Sequence, residues 1–388
     1  MKLRQNYKAI LGIIVSVIIV AAFGLSLYLI ESRADARADA QMEKAQAYTV
    51  NPSVLLYDEE EDLTYCSYHD IDTFLFIGTD ASGDEQGTGE EYAGNLADFL
   101  LLAVIDHTDK TYGFLQIHRD TITDVPILQT DGTAYSSAEQ QICLAHFYGA
   151  DPQMSGANTL AAAGNLLLGM EIGGYYAVHM DEVPRVNRLL GGVEITFAED
   201  LTQIDPSFIK GETVTLSDAQ AEAFVRARMG VGNGKNDERM DRQLIYMNAA
   251  MKQAKQKMSQ DKQFVNTFYD AFSDIAVTDM TKSHLTNLAS KTLSYTSKGI
   301  LKLDGESTTG VSSTDGIEHE RFYADKASVL ATLETLCGGL EEYHDETEAD
   351  DGEEIYDDEA GTDDEEIYDD ETEADDEEIY DDEAETDE

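Results

Sequence analysis

Three apolar runs constrain the fold of this chain more than any other feature. The first is IDTFLFIGTD (71–80), and ADFLLLAVIDHTDKTYGFLQIHRD (97–120) contains two more, separated by a short turn at HTDK. Their β-branched and aromatic content is typical of β-strands. Because the runs are almost wholly apolar, we expect central strands that are covered by protein on both faces of a sheet.

Patterns typical of helices and strands follow in alternation. ANTLAAAGNLLLGM (157–170) is predicted to be a helix with Asn158 as its N-cap, and YYAVHM (175–180) is predicted to be a short strand. DEVPRVNRLLGGVEITF (181–197) predicts a helix, a glycine stop and a strand.

Two further helix signals lie beyond residue 210. Ser217 and Gln220 have the spacing of a capping box at the start of a helix. Residues 236–258 are predicted to be helical, with Asn236 as the cap and lysines near the end, where the helix dipole favours them. Strands that alternate with helices predict an α/β domain with helices packed on both faces of the sheet, and residues 260–340 are expected to complete it.

An uncharged segment near the N-terminus, ILGIIVSVIIVAAFGLSLYLI (10–30), is long enough to cross a membrane. At ~1.5 Å per residue, a helix of this length spans the ~30 Å hydrocarbon core. Three basic residues, Lys2, Arg4 and Lys8, precede it, and the acidic Glu31 follows it. The positive-inside rule then places residues 1–9 in the cytoplasm and the body outside the cell. A cleaved signal peptide is the alternative, but its apolar region is typically only about 7–15 residues long.

The remaining boundaries follow from composition. Residues 31–50 are charged and rich in alanine, and a polar stretch follows, so 31–69 are predicted to be a stalk or linker. The folded domain is predicted over 70–340, with its motif-bearing core at 70–258. Residues 341–388 are predicted to be a tail.

Charge is distributed unevenly along the chain. The formal net charge is −52, and residues 341–388 contain 30 Asp or Glu and no Lys or Arg. The rest of the chain therefore carries 48 acidic and 26 basic residues, a net charge of −22. A protein this acidic is a poor candidate for binding nucleic acid, which needs a basic face, so we expect no nucleic-acid partner.

The acidic tail is a tandem repeat with a period of 12 residues. EEIYDDEAGTDD (353–364), EEIYDDETEADD (365–376) and EEIYDDEAETDE (377–388) follow a degenerate copy. Repeats this acidic cannot bury a core, so we expect a disordered tail that acts as a solvated spacer. Weak multivalent cation binding is the alternative, although the ligand spacing of an EF-hand is absent.

The three cysteines, Cys66, Cys143 and Cys337, have no spacing typical of a zinc site. An odd number cannot form a fully paired intrachain framework. We expect buried free thiols, with one disulfide as the alternative if the domain is exported.

Four of the eleven arginines of this acidic chain lie between residues 226 and 242. Arg239, Arg242 and Gln243 are spaced i, i+3, i+4 and share a helix face, while Arg226 and Arg228 precede them across a glycine-rich loop. Guanidinium groups near a helix N-terminus can bind phosphate oxygens. Salt bridges with acidic residues of the same helix are an equally good explanation from spacing alone: Asp237, Glu238 and Asp241.

Further charged residues stand at predicted strand ends. Arg119 and Asp120 follow an apolar strand, at the position where α/β sheets bind ligands, and Asp120 could orient Arg119 or act as a base. Asp80 ends the first strand and Asp98 stands at the start of the second. Two carboxylates there could hold one Mg²⁺, which prefers oxygen ligands. Local ion pairs and solvated acids are the alternatives.

These stretches, in this order behind one N-terminal anchor, resemble the LytR-CpsA-Psr family. The resemblance covers roughly residues 70–258 and depends on FLFIGTD, ADFLLLAVID, LQIHRDT, ICLAHFYGA, LLGGVEITF and AEAFVRARMG…ERMDRQ. It implies a three-layer α/β/α sandwich around a mixed sheet, outside the cell, with a deep apolar pocket for a lipid tail.

The resemblance also implies a function. Family members are similar to membrane-anchored phosphotransferases of Gram-positive cell envelopes, which move a glycan polymer from a polyprenyl-pyrophosphate carrier to peptidoglycan through a phosphodiester. Mg²⁺ on the pyrophosphate is the implied cofactor, and the implied partners are the lipid-linked glycan, peptidoglycan and the membrane.

Site residues are carried over by motif. The implied pyrophosphate ligands are Arg119, Arg226, Arg228, Arg239 and Gln243. Asp80 and Asp98 are the implied metal ligands or catalytic acids. With the strand-end reasoning above, the predicted catalytic residues are Asp98, Asp120 and Arg119. Arg242 matches no family position, so a salt bridge is its favoured interpretation.

Two positions depart from the family pattern. Leu96 stands where the family usually has an arginine, and His118 stands where it typically has proline. His118 is interpreted as a packed strand residue. The Leu96 departure raises the alternative of a catalytically degenerate scaffold or envelope regulator that binds polyprenyl phosphates or glycans. A polyprenyl-pyrophosphate glycan hydrolase is a third possibility.

Overall fold

The computed structural model describes residues 51–80, 95–129, 131–227, 236–311 and 316–344. The predicted anchor (10–30), Arg228 and the acidic repeats beyond residue 344 lie outside these residues. Within the described part of the chain, no helix combines the length and the apolar character needed to cross a bilayer.

Strands and helices alternate along the described residues. The strands are β1 (Val54–Asp58), β2 (Leu63–Ser67), β3 (Ile71–Thr79), β4 (Ala97–Asp106), β5 (Thr111–Ile117), β6 (Ile122–Leu128), β7 (Ala134–Gln141), β8 (Tyr175–His179), β9 (Glu194–Thr196), β10 (Thr213–Thr215), β11 (Val277–Thr278), β12 (Thr296–Lys302), β13 (Gly305–Val311), β14 (Glu318–Ala324) and β15 (Glu341–Glu342). The helices are α1 (Leu144–Phe147), α2 (Pro152–Leu166), α3 (Val183–Leu190), α4 (Asp218–Arg226), α5 (Asn236–Gln260), α6 (Phe264–Phe272), α7 (Lys282–Thr292) and α8 (Lys326–Leu336).

A six-stranded sheet in the order β11-β8-β3-β4-β5-β12 forms the centre of the fold. β3 pairs parallel with β8 and β5 pairs parallel with β12, whereas the other neighbours are antiparallel. The predicted α/β fold around a mixed sheet is therefore confirmed. Smaller sheets join β1, β2 and β15, and pair β6 with β7, β9 with β10, and β13 with β14.

Apolar side chains cover both faces of this sheet, as the uninterrupted apolar runs predict. Leu75 and Ile77 of β3 pack in a core that includes residues of α2 and α8. Phe74, which points to the opposite face, packs with Met280 and with Leu288 of α7. A separate cluster joins α3, α4, α5 and β9. Central strands buried on both faces leave only their ends to present polar side chains.

Helix boundaries follow the local capping signals. Ser217 Oγ accepts from the Gln220 N–H at 3.3 Å, and Gln220 Oε1 accepts from the Ser217 N–H at 3.0 Å, so the predicted capping box is confirmed. Gly191 follows α3 with φ of 80°, a left-handed conformation that glycine adopts without strain. The helix predicted over 236–258 continues to Gln260.

The predicted N-cap role of Asn158 is wrong. The helix starts earlier, at Pro152, and Asp151 is its N-cap, with its side chain accepting from the Met154 N–H at 2.8 Å. Asn158 lies inside the helix and is buried. Its Nδ2 donates to the carbonyl of Ala145 at 2.7 Å and to that of Pro126 at 3.0 Å, so the amide serves tertiary packing.

The folded body also begins before residue 70, within the segment predicted to be a linker. β1 and β2 pair with each other, and β2 pairs with β15 near the end of the described chain. Val54 and Leu56 are buried in the main core because β1 alternates buried and exposed positions. The three cysteines are free and buried, as predicted.

Candidate active site

Pairing of the central strands brings the predicted site residues to one edge of the sheet. β3 and β4 are antiparallel, and Thr79 pairs with Ala97, so Asp80 and Asp98 come from neighbouring strand ends. β5 is antiparallel to β4 and ends opposite its start, with Ile117 paired to Leu100. The residues that follow β5 therefore reach the same edge.

The Asp98 carboxylate pairs with two arginines. Arg119 Nη1 donates to Oδ1, and Arg239 Nη1 donates to Oδ2 at 3.2 Å. The Asp98 side chain is 15% exposed and that of Arg239 is 9% exposed. Ion pairs with so little solvent around them are stronger than surface pairs, and they fix the relative positions of the three groups.

Arg119 is held at all three of its side-chain nitrogens. Besides its bond to Asp98, its Nε donates to Asp120 Oδ1 at 3.3 Å and its Nη2 donates to Cys143 Sγ at 3.3 Å. Asp120 Oδ1 also accepts from Gln141 Nε2 at 3.0 Å. Asp120 is thus buried beside Arg119 in an arrangement suited to orienting its guanidinium.

A cavity of about 230 Å³ opens beside Asp98. The described residues that line it are Asp80, Asp98, Met180, Val225, Arg226, Arg239 and Gln243. Five of the predicted site residues thus line one cavity, and two more, Arg119 and Asp120, form the ion-pair network behind Asp98. Arg228 lies outside the described residues. The cavity combines cationic donors with carboxylates, which suits an anionic ligand accompanied by a metal ion.

Arg226 and Gln243 are the two lining residues best able to accept new partners. Arg226, at the end of α4, has an ion pair with Glu222 at 3.5 Å that is substantially exposed, and such pairs contribute little stability. Gln243 is buried, yet its Oε1 accepts no hydrogen bond from any residue that the structure describes. A ligand in the cavity could bond both without breaking a strong interaction.

Asp80 is electrostatically unfavourable in its charged form. Burial, and then the neighbouring Asp98 carboxylate, raise its pKa above the ordinary value of 3.8, against the opposing influence of the Leu96 main chain, Arg119 and Arg226. A cation bound in the cavity would reverse this cost.

Asp80→Asn should raise the melting temperature of chelator-treated protein by about 2 °C near neutral pH. A raised pKa means that the folded state binds this proton more tightly than the unfolded chain, so stability falls as pH rises between the ordinary and the raised value. Asparagine removes that cost, and below pH 3.8 the advantage should vanish because Asp80 is protonated in both states. Melting temperatures across this range test it; a gain that does not shrink as pH falls contradicts the explanation.

The described hydrogen bonds of Arg242 go to main-chain carbonyls and not to the carboxylates of the site. Its Nε donates to the Phe224 carbonyl at 3.2 Å and its Nη2 donates to the Ala227 carbonyl. These carbonyls belong to the last turn of α4, where no intrahelical donor is available. The salt bridge expected for Arg242 is not among its described contacts, and its observed role is to cap α4.

Replacing Arg242 with methionine should lower the free energy of unfolding by about 2 kcal/mol, because one buried and one half-buried carbonyl lose their donor. Urea unfolding of the full chain measures this. Arg188→Met is the matched control, since Arg188 is 69% exposed and forms a surface pair with Asp218; we expect at most about 0.5 kcal/mol there. Equal losses would show that Arg242 provides no cap.

His118 and Leu96 have structural roles among the described contacts. The His118 ring stacks on Phe322 at 5.1 Å, and its Nδ1 accepts from the Asp120 N–H at 3.1 Å, so the packed interpretation is confirmed. The Leu96 carbonyl accepts from the Asp80 N–H at 3.1 Å. A second cavity of about 70 Å³ next to His118 is too small to enclose a polyprenyl chain, so the deep apolar pocket stays a prediction.

Sequence reasoning missed two residues that support the site, Gln141 and Cys143. Gln141 ends β7 and Cys143 follows it, and they contact Asp120 and Arg119, which precede them by more than 20 residues. Cys143 was noted only as a cysteine and as part of the motif ICLAHFYGA, and Gln141 carried no signal. Contacts of this kind depend on how the β6–β7 hairpin folds back, which no local pattern specifies.

Comparisons with known proteins bear on this arrangement. The sequence model of the LytR_cpsA_psr family matches residues 26–336. A comparison with functionally curated protein sequences gave no match.

Solved structures share the fold at low sequence identity. Protein gbs0355 from Streptococcus agalactiae has a TM-score of 0.54 at 15% identity, over 69% of this chain and 88% of that one. TagV from B. subtilis has a TM-score of 0.50 at 20% identity, over 69% and 98%. TagT bound to LI-WTA has a TM-score of 0.50 at 19% identity, over 69% and 90%. Identities this low establish a common fold only.

Proposed function

Because the chain belongs to the LytR-CpsA-Psr family, we propose that it is a phosphotransferase of the cell envelope. Its donor would be a glycan polymer on a polyprenyl-pyrophosphate carrier, and its acceptor would be peptidoglycan, joined through a phosphodiester. The shared fold with TagT, which was solved with LI-WTA, supports a cell-wall glycopolymer as the group transferred.

The observation that carries this proposal is the composition of the 230 Å³ cavity. Arg226 and Arg239 supply guanidinium donors, and Gln243 supplies an amide. One guanidinium can bind two phosphate oxygens through two parallel N–H groups. The lining of the cavity therefore suits a pyrophosphate. Arg119, immediately behind Asp98, adds a third cation within the same network.

Mg²⁺ is the proposed cofactor. Three carboxylates and three guanidiniums meet at this edge among the described residues: Asp80, Asp98, Asp120, Arg119, Arg226 and Arg239. Their charges balance before a pyrophosphate brings further negative charge. Asp80 and Asp98 have the oxygen ligands that Mg²⁺ prefers, and a cation there would offset the burial that raises the pKa of Asp80. When bound, the metal would neutralise charge on the phosphates.

Asp98 is the proposed general base. Both of its oxygens accept hydrogen bonds from arginines in the structure. When donor phosphates accept from Arg119 and Arg239 instead, the Asp98 oxygens are released from these donors and can accept a proton. It then takes the proton of an acceptor hydroxyl, whose oxygen attacks the sugar-proximal phosphorus as polyprenyl phosphate leaves.

Asp120 is proposed to orient Arg119 rather than to move a proton. Its Oδ1 accepts from Arg119 Nε and from Gln141 Nε2, and Gln141 also donates to the Glu320 carbonyl at 2.8 Å. These bonds tie Arg119 to β14. Because the Asp120 carboxylate is held in this way, it fixes the orientation of the Arg119 guanidinium plane.

The predicted helix at 10–30, with the body outside the cell, completes the proposal. A single span would hold the cavity close to the bilayer that contains the polyprenyl carrier. The three-layer sandwich and the apolar pocket for the lipid tail belong to the same proposal. Cysteine labelling on intact cells tests the topology: a cysteine introduced in the exposed β6–β7 turn should react with an impermeant reagent.

Glycan transfer is tested with the full-length protein in detergent micelles. The donor is a polyprenyl-pyrophosphate-linked glycan and the acceptor is uncrosslinked peptidoglycan. Mass spectrometry should detect polyprenyl phosphate and a peptidoglycan product joined through a phosphodiester. A chelator should stop the reaction and added Mg²⁺ should restore it.

Other outcomes identify other functions. Donor binding without product would indicate the scaffold or regulator, the alternative raised by Leu96. Release of polyprenyl phosphate together with free glycan phosphate would indicate a hydrolase. Transfer that continues at full rate in the presence of a chelator would support the transferase function and show that the reaction does not need Mg²⁺.

A further inference from the structure

Cys143 lies between the two segments that carry the charged residues of the site. Its N–H donates to the Arg119 carbonyl at 3.1 Å, and its own carbonyl accepts from the N–H of Ala97, the neighbour of Asp98, at 3.1 Å. Its thiol accepts from Arg119 Nη2 at 3.3 Å. One residue therefore contacts both the start of β4 and the arginine that follows β5.

The thiol completes the set of partners around the Arg119 guanidinium. This group is planar, so acceptors at its three nitrogens determine both its position and the direction of its plane. Asp98 and Asp120 are two of these acceptors, and Cys143 Sγ is the third.

The third acceptor differs from the other two because it is uncharged. Burial raises the pKa of Cys143 to about 12, although Arg119 opposes the shift, so the thiol keeps its proton near neutral pH. It can therefore direct the guanidinium without neutralising more of its charge. A third carboxylate would hold Arg119 equally well but would weaken its attraction for phosphate.

Building on the proposed function, we propose that Cys143 is a positioning residue for glycan transfer, whose thiol holds Arg119 in the orientation that serves both Asp98 and the donor phosphates. Cys143 is buried and acts through Arg119 alone. Its main-chain bonds to Arg119 and Ala97 do not involve the side chain, so replacing the thiol should leave the local backbone in place.

Cys143→Ala in the full-length protein should lower kcat/KM for the polyprenyl-pyrophosphate-linked glycan about tenfold, the effect of losing one hydrogen bond from a charged donor. In an Arg119→Ala background the same change should alter the remaining rate less than about twofold, because the thiol then has nothing to position. An equal loss in both backgrounds would show that Cys143 acts through general packing and would overturn the inference.

Cys337→Ala is the matched control. Cys337 is equally buried at the end of α8, and burial raises its pKa to about 12 as well, but none of its described contacts involves the site. Its truncation should leave kcat/KM unchanged. Cys143→Ser keeps an acceptor, and its oxygen accepts more strongly than sulfur but lies farther from Arg119 Nη2 because the C–O bond is shorter, so it should recover about a third of the lost kcat/KM. A Ser variant no more active than Ala, with an unchanged melting temperature, contradicts the role of the acceptor.

Binding of inorganic pyrophosphate, measured by calorimetry, separates this inference from the proposed function. If wild-type protein transfers no glycan, the proposed function fails, but a tenfold weaker pyrophosphate affinity in Cys143→Ala still supports positioning. If wild type transfers glycan and Cys143→Ala equals it in rate and affinity, the function stands and the inference falls. Pyrophosphate binding that is equal or absent in both proteins likewise overturns it.

Discussion

Arg119→Ala should lower the rate of glycan transfer about a thousandfold, near the upper end of what removing one preorganised electrostatic group costs. The guanidinium joins Asp98, Asp120 and Cys143 in a site with little solvent. Its loss removes a cation next to the donor phosphates and leaves two buried carboxylates without their shared partner. The initial rate of polyprenyl phosphate release by the full-length protein measures the effect.

Two variants control for charge and for unspecific damage. Arg119→Lys keeps the charge but has a single nitrogen that cannot meet three acceptors, so we expect a loss of about a hundredfold. Arg188→Ala removes an exposed arginine that pairs with Asp218 at the surface and should change the rate less than about twofold. If Arg119→Ala kept more than about a tenth of the wild-type rate, Arg119 could not act at the reacting phosphate.

Asp98→Asn should lower kcat at least about a hundredfold, the usual contribution of a general base. Asparagine has the same shape but no negative charge, so it takes up no proton and is a poorer Mg²⁺ ligand. In the presence of a chelator, donor binding should tighten or stay unchanged, because a negative charge leaves an anion-binding cavity. Steady-state kinetics and direct binding of the donor therefore separate the two effects.

Asp58→Asn is the control for removing a buried, paired carboxylate elsewhere. Asp58 lies on β1 and pairs with Lys326 at 3.1 Å, away from the cavity. This variant should lose stability yet retain the turnover of its folded fraction. If Asp98→Asn instead weakened donor binding and kept kcat, Asp98 would serve in binding and another group would be the base.

Leu96 is compatible with a catalytic site in this arrangement. The resemblance implies an arginine at that position, which would add a cation near Asp98. Arg119 and Arg239 already donate to the two oxygens of Asp98. Asp98 therefore has two cationic partners even though position 96 is a leucine. The uncharged Leu96 gives no support to the scaffold alternative.

Local chemistry explains why much of the fold could be predicted. The capping box at Ser217 and Gln220 involves atoms within one turn, so the sequence contains all of its partners. Asn158 shows the limit of the same reasoning, because a polar residue before an apolar run resembles a cap. Its amide instead bonds carbonyls of Pro126 and Ala145, which only tertiary packing brings near.

The location of the candidate site could also be predicted, for a topological reason. Antiparallel pairing places the end of one strand beside the start of the next, so Asp80 and Asp98 had to meet once β3 and β4 formed a hairpin. The same holds for the residues after β5. The position of the candidate site at this edge of the sheet could therefore be predicted from three apolar runs and the polar residues at their ends.

The sequence by itself therefore determined the strands, several helix boundaries and the edge at which the charged residues gather, because these depend on neighbours in the chain. Only the tertiary structure decided the partner of each charged group. Arg239 pairs with Asp98, whereas Arg242, three residues later on the same helix, caps α4. Spacing could not separate them, because hydrogen-bond partners are set by the elements packed against a helix face, and those elements come from distant parts of the chain.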